Sequence, residues 1–209
     1  MQATTARALK ERRRHARQGR SGSERLAFLR GFLKNPVMVG SVIPSSQRLI
    51  DRMLGPVDWA ETRLFVEYGP GVGTFTRVIL DRLPEGAKLV TIDTNPEFTA
   101  FLKESIADER LVAVTASAAD IEKVLGDRGL GKADYILSGL PFSTLPPGVG
   151  EAIGAATSRA LRPGGAFLVY QFSPKVREFI APVFERIERG FEWLNVPPAT
   201  LFWAWREED

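Results

Sequence analysis

The chain has 209 residues, 44% hydrophobic and 25% charged, which suits one soluble domain with a sizeable core. It has no cysteine, excluding disulfides, thiolate catalysis and cysteine-ligated zinc. Its one histidine, His15, argues against a Ser-His-Asp triad or a His-rich metal site.

The net charge of +3 hides an asymmetry. Residues 1–34 hold ten Lys or Arg against Glu11 and Glu24, a net +8, while the remaining 18 basic and 23 acidic residues give −5. A basic arm on a mildly acidic body points to a polyanionic partner, either an anionic membrane or nucleic acid. No apolar run approaches the ~20 residues of a membrane-spanning helix. The N-terminus lacks the apolar centre of a secretion signal, so a cytoplasmic protein is expected.

In chain order, Ala3 to Gln18 is helix-prone but polar all round, and Gly19-Arg20-Ser21-Gly22-Ser23 breaks it. From Glu24 to Lys34 a short amphipathic helix gathers Leu26, Leu29, Phe32 and Leu33 on one side, flanked by Arg30 and Lys34, and Asn35-Pro36 ends it. Such a segment suits a membrane interface or a lid on the core, and the neighbouring positive charge favours the membrane. We divide the chain into this arm, residues 1–34, and a domain over residues 35–209. Ser45 and Ser46 precede a helical pattern of Leu49, Ile50, Met53 and Leu54, which they are placed to cap.

The chain is organised around Leu64-Phe65-Val66-Glu67-Tyr68-Gly69-Pro70-Gly71-Val72-Gly73-Thr74. A β-prone run enters it and a helical pattern leaves it, so it reads as strand, tight turn and helix in a parallel α/β sheet. Glycines at alternate positions let the backbone turn and let a ligand touch it, while the helix starting near Thr74 aims its free N–H groups into the gap. The dinucleotide fingerprint G-x-G-x-x-G is not met, because Thr74 stands where its third glycine belongs. Glu67 repels a pyrophosphate and suits a cation. Lys88 to Asp93 is a second strand, ending in a carboxylate suited to ribose hydroxyls.

Strands and helices then alternate. A helix is expected from Pro96 to Ile106 with Phe98, Phe101 and Leu102 inward, a strand over Leu111 to Thr115, and a short helix after Ser117-Ala118-Ala119-Asp120. Ala133 to Ser138 is the fourth strand, Gly148 to Leu161 a helix and Ala166 to Phe172 the fifth strand. A helix over Lys175 to Phe184 follows, then a hairpin of Phe191 to Leu194 and Leu201 to Trp205.

An ammonium beside Glu67 and a ribose on Asp93 describe S-adenosylmethionine better than NAD, and the chain here resembles the seven-stranded adenosylmethionine-dependent methyltransferases. The resemblance implies a Rossmann-like α/β sheet with an antiparallel last strand, preceded by N-terminal amphipathic helices. It implies that Glu67, Gly69, Pro70, Gly71, Gly73, Thr74, Asp93, Thr94, Ser117, Ala118, Ser45 and Ser46 bind the cofactor. Many relatives carry an acidic residue after the third strand for the adenine; here Ser117, Asp120 and the main chain remain as alternatives. The fourth strand delivers Ser138-Gly139-Leu140-Pro141-Phe142, similar to the N/D-P-P-Y/F motif of amino methyltransferases, with Ser138 in place of Asn or Asp.

That segment, the following Ser143-Thr144-Leu145-Pro146-Pro147 and Val39 to Ser46 with the preceding basic helix resemble bacterial phospholipid N-methyltransferases. The resemblance implies successive methylation of phosphatidylethanolamine to phosphatidylcholine at the inner face of the cytoplasmic membrane, with S-adenosylhomocysteine as product. Ser138, Gly139, Leu140 and Tyr170 are then the catalytic candidates, and Pro141, Phe142, Lys175, Arg177, Arg30 and Lys34 the substrate-binding ones. No metal and no nucleic-acid partner is expected. The competing resemblance is to RNA adenine N6-dimethyltransferases, whose Asn-Leu-Pro-Tyr-like signature this sequence lacks.

Overall fold

The computed structural model describes residues 46–171, 174–195 and 197–207. The basic arm, the amphipathic helix with Arg30 and Lys34, and Ser45 lie outside the described residues. Among the described residues one sheet has seven strands: β1 (Leu64–Tyr68), β2 (Lys88–Asp93), β3 (Leu111–Thr115), β4 (Ala133–Ser138), β5 (Leu161–Gln171), β6 (Arg186–Glu192) and β7 (Ala199–Trp205). Their order is β3-β2-β1-β4-β5-β7-β6, with β1 to β5 parallel and β7 antiparallel to both neighbours. This is the mixed sheet the sequence predicts.

β1 is central and wholly buried because β2 and β4 pair along its two edges and helices cover both faces. Side-chain alternation sends Leu64, Val66 and Tyr68 to one face and Phe65 to the other. On the Phe65 face lie α1 (Gln47–Met53) and α2 (Thr74–Arg82), packed through Leu49, Met53, Phe75 and Ile79. The opposite face is covered by α4 (Ile121–Gly126), α5 (Val149–Ala160) and α6 (Arg177–Ile180), while α3 (Pro96–Ser105) leans on β2 and β3. In α3, Leu102 and Thr99 are the buried residues, whereas Phe98 and Phe101 are only half-buried.

Several boundaries at the antiparallel end differ from the sequence reading, among them the end of β6 at Glu192 rather than Leu194 and the start of β7 at Ala199 rather than Leu201. β5 begins at Leu161 rather than Ala166, because the backbone of Gly164 and Gly165 bonds to Arg206 and continues the ladder toward β7. The helix expected over Lys175 to Phe184 is a 3₁₀ turn, Pro174–Val176, followed by only Arg177–Ile180. β6 therefore starts at Arg186, five residues earlier than expected. Its polar Arg186-Ile187-Glu188-Arg189-Gly190 run suits an edge strand, with one face in solvent and one ladder to fill.

The order reverses between β1 and β4, where a gap opens at the carboxyl ends of the strands. The register Gln171↔Thr200 brings the β6–β7 turn to that same edge.

Candidate active site

The turn after β1 is shaped by glycines that differ in what surrounds them. Gly69, Gly71 and Gly73 all have positive φ, at 63°, 54° and 82°. A Cβ on Gly73 would meet Leu102 Cδ2 at 2.7 Å and Arg77 Nη1 at 2.9 Å, so this residue closes the turn against α3. A Cβ on Gly71 would meet nothing within 4 Å, so here the turn faces open space. The Gly69 N–H donates to Ile92 O at 2.9 Å and the Gly139 N–H to Tyr68 O at 3.2 Å, knitting the ends of β2, β1 and β4 into one rim. Thr74 begins α2 and is exposed, while Pro70 is buried.

Two carboxylates face this rim. Glu67 is 3% exposed, on the β1 face covered by α2, and Thr76 Oγ1 donates to its Oε2 at 2.6 Å. No Lys or Arg among the described residues pairs with it. Burial pushes the Glu67 carboxyl up to about 7; the Thr76 bond opposes that shift and the nearby Asp93 charge adds to it. Burial also raises Asp93 above the usual range, although the N–H groups of Asn95 (2.8 Å) and Gly71 hold its charged form. Two partly desolvated carboxylates without a protein cation, beside a glycine facing open space, suit a ligand bearing an ammonium and hydroxyl groups. The residues present thus fit the amino-acid end and ribose of S-adenosylmethionine. Thr94 is exposed just beyond Asp93. Ser117 caps the 3₁₀ turn Ala118–Asp120 by accepting from the Ala119 N–H at 3.2 Å, and Ala118 is buried.

Across the gap, the turn after β4 is fixed by short-range bonds. Ser138 is fully buried and its Oγ accepts from the Leu140 N–H at 3.2 Å. The Leu140 carbonyl accepts two donors, the Phe142 N–H at 2.9 Å and Gln171 Nε2 from the end of β5. Tyr170 stacks on Phe75 with ring centroids 5.0 Å apart, and its hydroxyl lies where a Cβ on Gly139 would fall. Ser138, Gly139, Leu140 and Tyr170 are therefore brought together. Phe142, expected as an aromatic wall for substrate, is 2% exposed and stacks on Phe179 at 5.8 Å, so its ring holds the turn down. Pro141 is half-buried beside it.

Lys175 and Arg177 are exposed on the segment that follows β5, at the same sheet edge. Ser46 caps α1, accepting from the Leu49 N–H at 3.2 Å, and its own N–H donates to Asn195 Oδ1 at 3.0 Å. Among the described residues no group of three or more His, Asp or Glu is placed to hold a metal ion, and no helix is long and apolar enough to cross a membrane.

Residues 65–165 match the protein family described as "Methyltransferase domain". The match spans 101 residues, just under half of the chain. Its fold is that of methyltransferases of known structure, among them one solved in complex with AdoMet and guanosine and one in complex with SAH. An ornithine lipid N-methyltransferase from Singulisphaera acidiphila is 29% identical over 179 residues, covering 85% of this chain and 93% of that protein. The ribosomal RNA small subunit methyltransferase A of Bordetella pertussis is 28% identical over 132 residues, 63% of this chain and 43% of that protein. Among solved structures, an O-methyltransferase from Bacillus cereus in complex with SAH superposes with a TM-score of 0.62 at 13% identity, covering 87% of this chain and 90% of that one.

Two partners of the candidate site are invisible in the sequence. Thr76 is an ordinary helix residue until α2 docks and turns its hydroxyl onto Glu67. Gln171 is a polar residue at a strand end, and only the β4–β5 pairing places its amide on the Leu140 carbonyl.

Proposed function

We propose that the protein N-methylates a membrane lipid amine, with phosphatidylethanolamine as acceptor, in successive steps through mono- and dimethyl forms to phosphatidylcholine. It does so peripherally, at the inner face of the cytoplasmic membrane, with the basic arm of residues 1–34 attracted to anionic lipid. The observation that carries the reading is the reach of the similarity to a lipid N-methyltransferase, which runs along 93% of that protein. The similarity to the rRNA methyltransferase covers 43% of its length.

In this reading Glu67 holds the amino group of the donor, Asp93 its ribose, and the Gly69 to Thr74 backbone its middle. Thr94, Ser117 and Ala118 lie toward the adenosine, and Ser45 and Ser46 toward the amino-acid end. The bound donor supplies an electrophilic sulfonium methyl. A lipid amine has a pKa near ~10 by analogy with lysine, so it arrives protonated and must lose that proton to become a nucleophile. Because the Leu140 carbonyl already accepts two donors, the Gly139 carbonyl is assigned to orient the neutral amine. The Tyr170 hydroxyl, lying against Gly139, relays the proton, passing its own to water as it accepts the amine's. Lys175 and Arg177 meet the lipid phosphate, and Arg30 and Lys34, outside the described residues, are assigned to anionic lipid. Catalysis then rests mainly on positioning and on excluding water from the amine.

The test is to incubate the protein with the methyl-labelled donor and, separately, phosphatidylethanolamine liposomes, ornithine lipid liposomes and ribosomal RNA. Label in mono-, dimethyl-phosphatidylethanolamine and phosphatidylcholine is expected. Label confined to ornithine lipid would replace the acceptor, and label in RNA alone would refute the lipid reading.

A further inference from the structure

The β6–β7 turn exposes what the rest of the described surface hides. Trp193 is 73% and Leu194 66% exposed, and they are the large hydrophobic side chains left in solvent among the described residues. They do not stand out because the turn is loose. The Leu194 N–H donates to Glu192 Oε1 at 3.1 Å. The buried Asn195 accepts from the Ser46 N–H at 3.0 Å and donates to Pro197 O at 2.8 Å. The turn is thus clamped to α1 beneath, while two apolar side chains are held outward. A Trp–Leu pair fixed in water loses hydrophobic free energy unless something covers it.

The surroundings say what kind of cover fits. Arg52, Arg189, Gly190, Phe191 and Trp193 line an open depression of about 720 Å³ beside the pair. Arg48 and Arg52 ion-pair at 3.5 Å with Glu192, which is 2% exposed, so one buried carboxylate offsets two outward guanidinium groups. Arg189, exposed on edge strand β6, adds a third. Guanidinium groups bind phosphate in a bidentate fork, and an indole with an adjacent leucine belongs at the boundary between headgroups and acyl chains. A protein partner would be expected to cover the apolar pair with a matching apolar face. A ring of arginines suits an anionic phospholipid surface.

We infer that the β6–β7 turn is a membrane-docking element: Trp193 and Leu194 seat below the headgroups, and Arg48, Arg52 and Arg189 meet lipid phosphates. The turn lies at the sheet edge that carries the Ser138–Leu140 turn, so docking there presents the open rim of the site to the bilayer. The inference rests on the lipid-acceptor reading and identifies a surface for it among the described residues of the domain.

The arm contains no tryptophan; all four lie on the domain, where Trp59 and Trp205 are half-buried and Trp203 is buried. Quenching of tryptophan emission by brominated acyl chains therefore reports on the domain alone. The full chain is titrated with brominated vesicles of phosphatidylglycerol and phosphatidylcholine. The expected result is strong quenching that Trp193→Phe removes. Leu194→Ser should weaken vesicle partition about tenfold, and Arg189→Gln about fivefold on anionic vesicles but not on pure phosphatidylcholine. Equal quenching in Trp193→Phe and wild type, or unchanged partition in both other variants, would overturn the inference. So would self-association through the turn, or RNA binding, without vesicle quenching. Methyl transfer to detergent-dispersed phosphatidylethanolamine is measured beside it. Its persistence without Trp193 quenching removes the docking element alone, and its loss with quenching intact removes the acceptor reading alone.

Discussion

If Glu67 holds the donor as proposed, donor binding depends on pH in a way that can be measured without turnover. The Glu67 carboxyl sits near 7 against an ordinary 4.5, because burial disfavours the charge and no Lys or Arg among the described residues pairs with it. An ammonium bound beside it supplies the missing cation and pulls that value back down. If the bound value returns to about 4.5, linkage makes S-adenosylhomocysteine bind about 20-fold tighter at about pH 7.5 than at about pH 5.5. Glu67→Gln keeps a group that accepts from Thr76 but removes the charge. The variant should show a flat profile over that range and about tenfold to a hundredfold weaker binding at the upper end, the loss of one charge-assisted hydrogen bond. Calorimetry in buffers of different ionisation enthalpy reads both affinity and proton release, and wild type should release protons on binding near about pH 6.5. In the free protein the sign is opposite. A group whose pKa rises on folding stabilises fully below its unfolded value and loses that contribution as pH climbs through about 7, so Glu67→Gln should raise the melting temperature of the free protein at about pH 8. The same flat binding profile in wild type and variant would refute the role given to this carboxylate.

Three further outcomes follow from the site. Gly73→Ala combines φ of 82° with a Cβ placed 2.7 Å from Leu102 Cδ2, so it should destabilise the fold by about 2 kcal/mol by denaturant titration. Tyr170→Phe keeps the stack on Phe75 but removes the hydroxyl. Turnover should fall most at low pH, where the amine is protonated, and full turnover at every pH would end that role. Gln171→Met removes one donor from the Leu140 carbonyl; kcat should drop about tenfold while S-adenosylhomocysteine affinity holds, and unchanged kcat would show that Phe142 N–H alone fixes the turn.

The parallel half of the sheet is legible because each strand is a β-prone run ended by its own turn chemistry. Lys88–Asp93, Leu111–Thr115 and Ala133–Ser138 have the bounds that pattern predicts. The antiparallel end is less so. Pro163 and two glycines hide the start of β5, since neither residue type signals a strand, and pairing to Arg206 supplies what propensity does not. β6 is masked because an edge strand exposed on one face needs no apolar alternation. The carboxylates Glu67 and Asp93 could be picked from the turn that follows each strand. Thr76, Gln171 and the Trp193–Leu194 turn could not, because their meaning depends on what the fold brings next to them.

Taken together, the two sides of the gap between β1 and β4 differ in charge, and that difference sets the direction of transfer. On the β1–β2 side stand the carboxylates Glu67 and Asp93, while Arg77 on α2 donates to the carbonyls of Val72 and Gly73. On the β4–β5–β7–β6 side stand the Ser138–Leu140 turn, Lys175, Arg177, Arg189 and the exposed Trp193–Leu194 pair. A cationic donor and a lipid with an anionic phosphate are each attracted to one side and repelled from the other. In a partly desolvated gap such fields are screened far less than at an open surface. In the proposed reaction Glu67 and Asp93 would hold the donor on one side of the switch point, and the β4 turn on the other would receive a neutral amine. A protonated amine would face both the donor's positive charge and the arginine side, so the charge pattern proposed to recruit a lipid phosphate would also favour the deprotonated nucleophile.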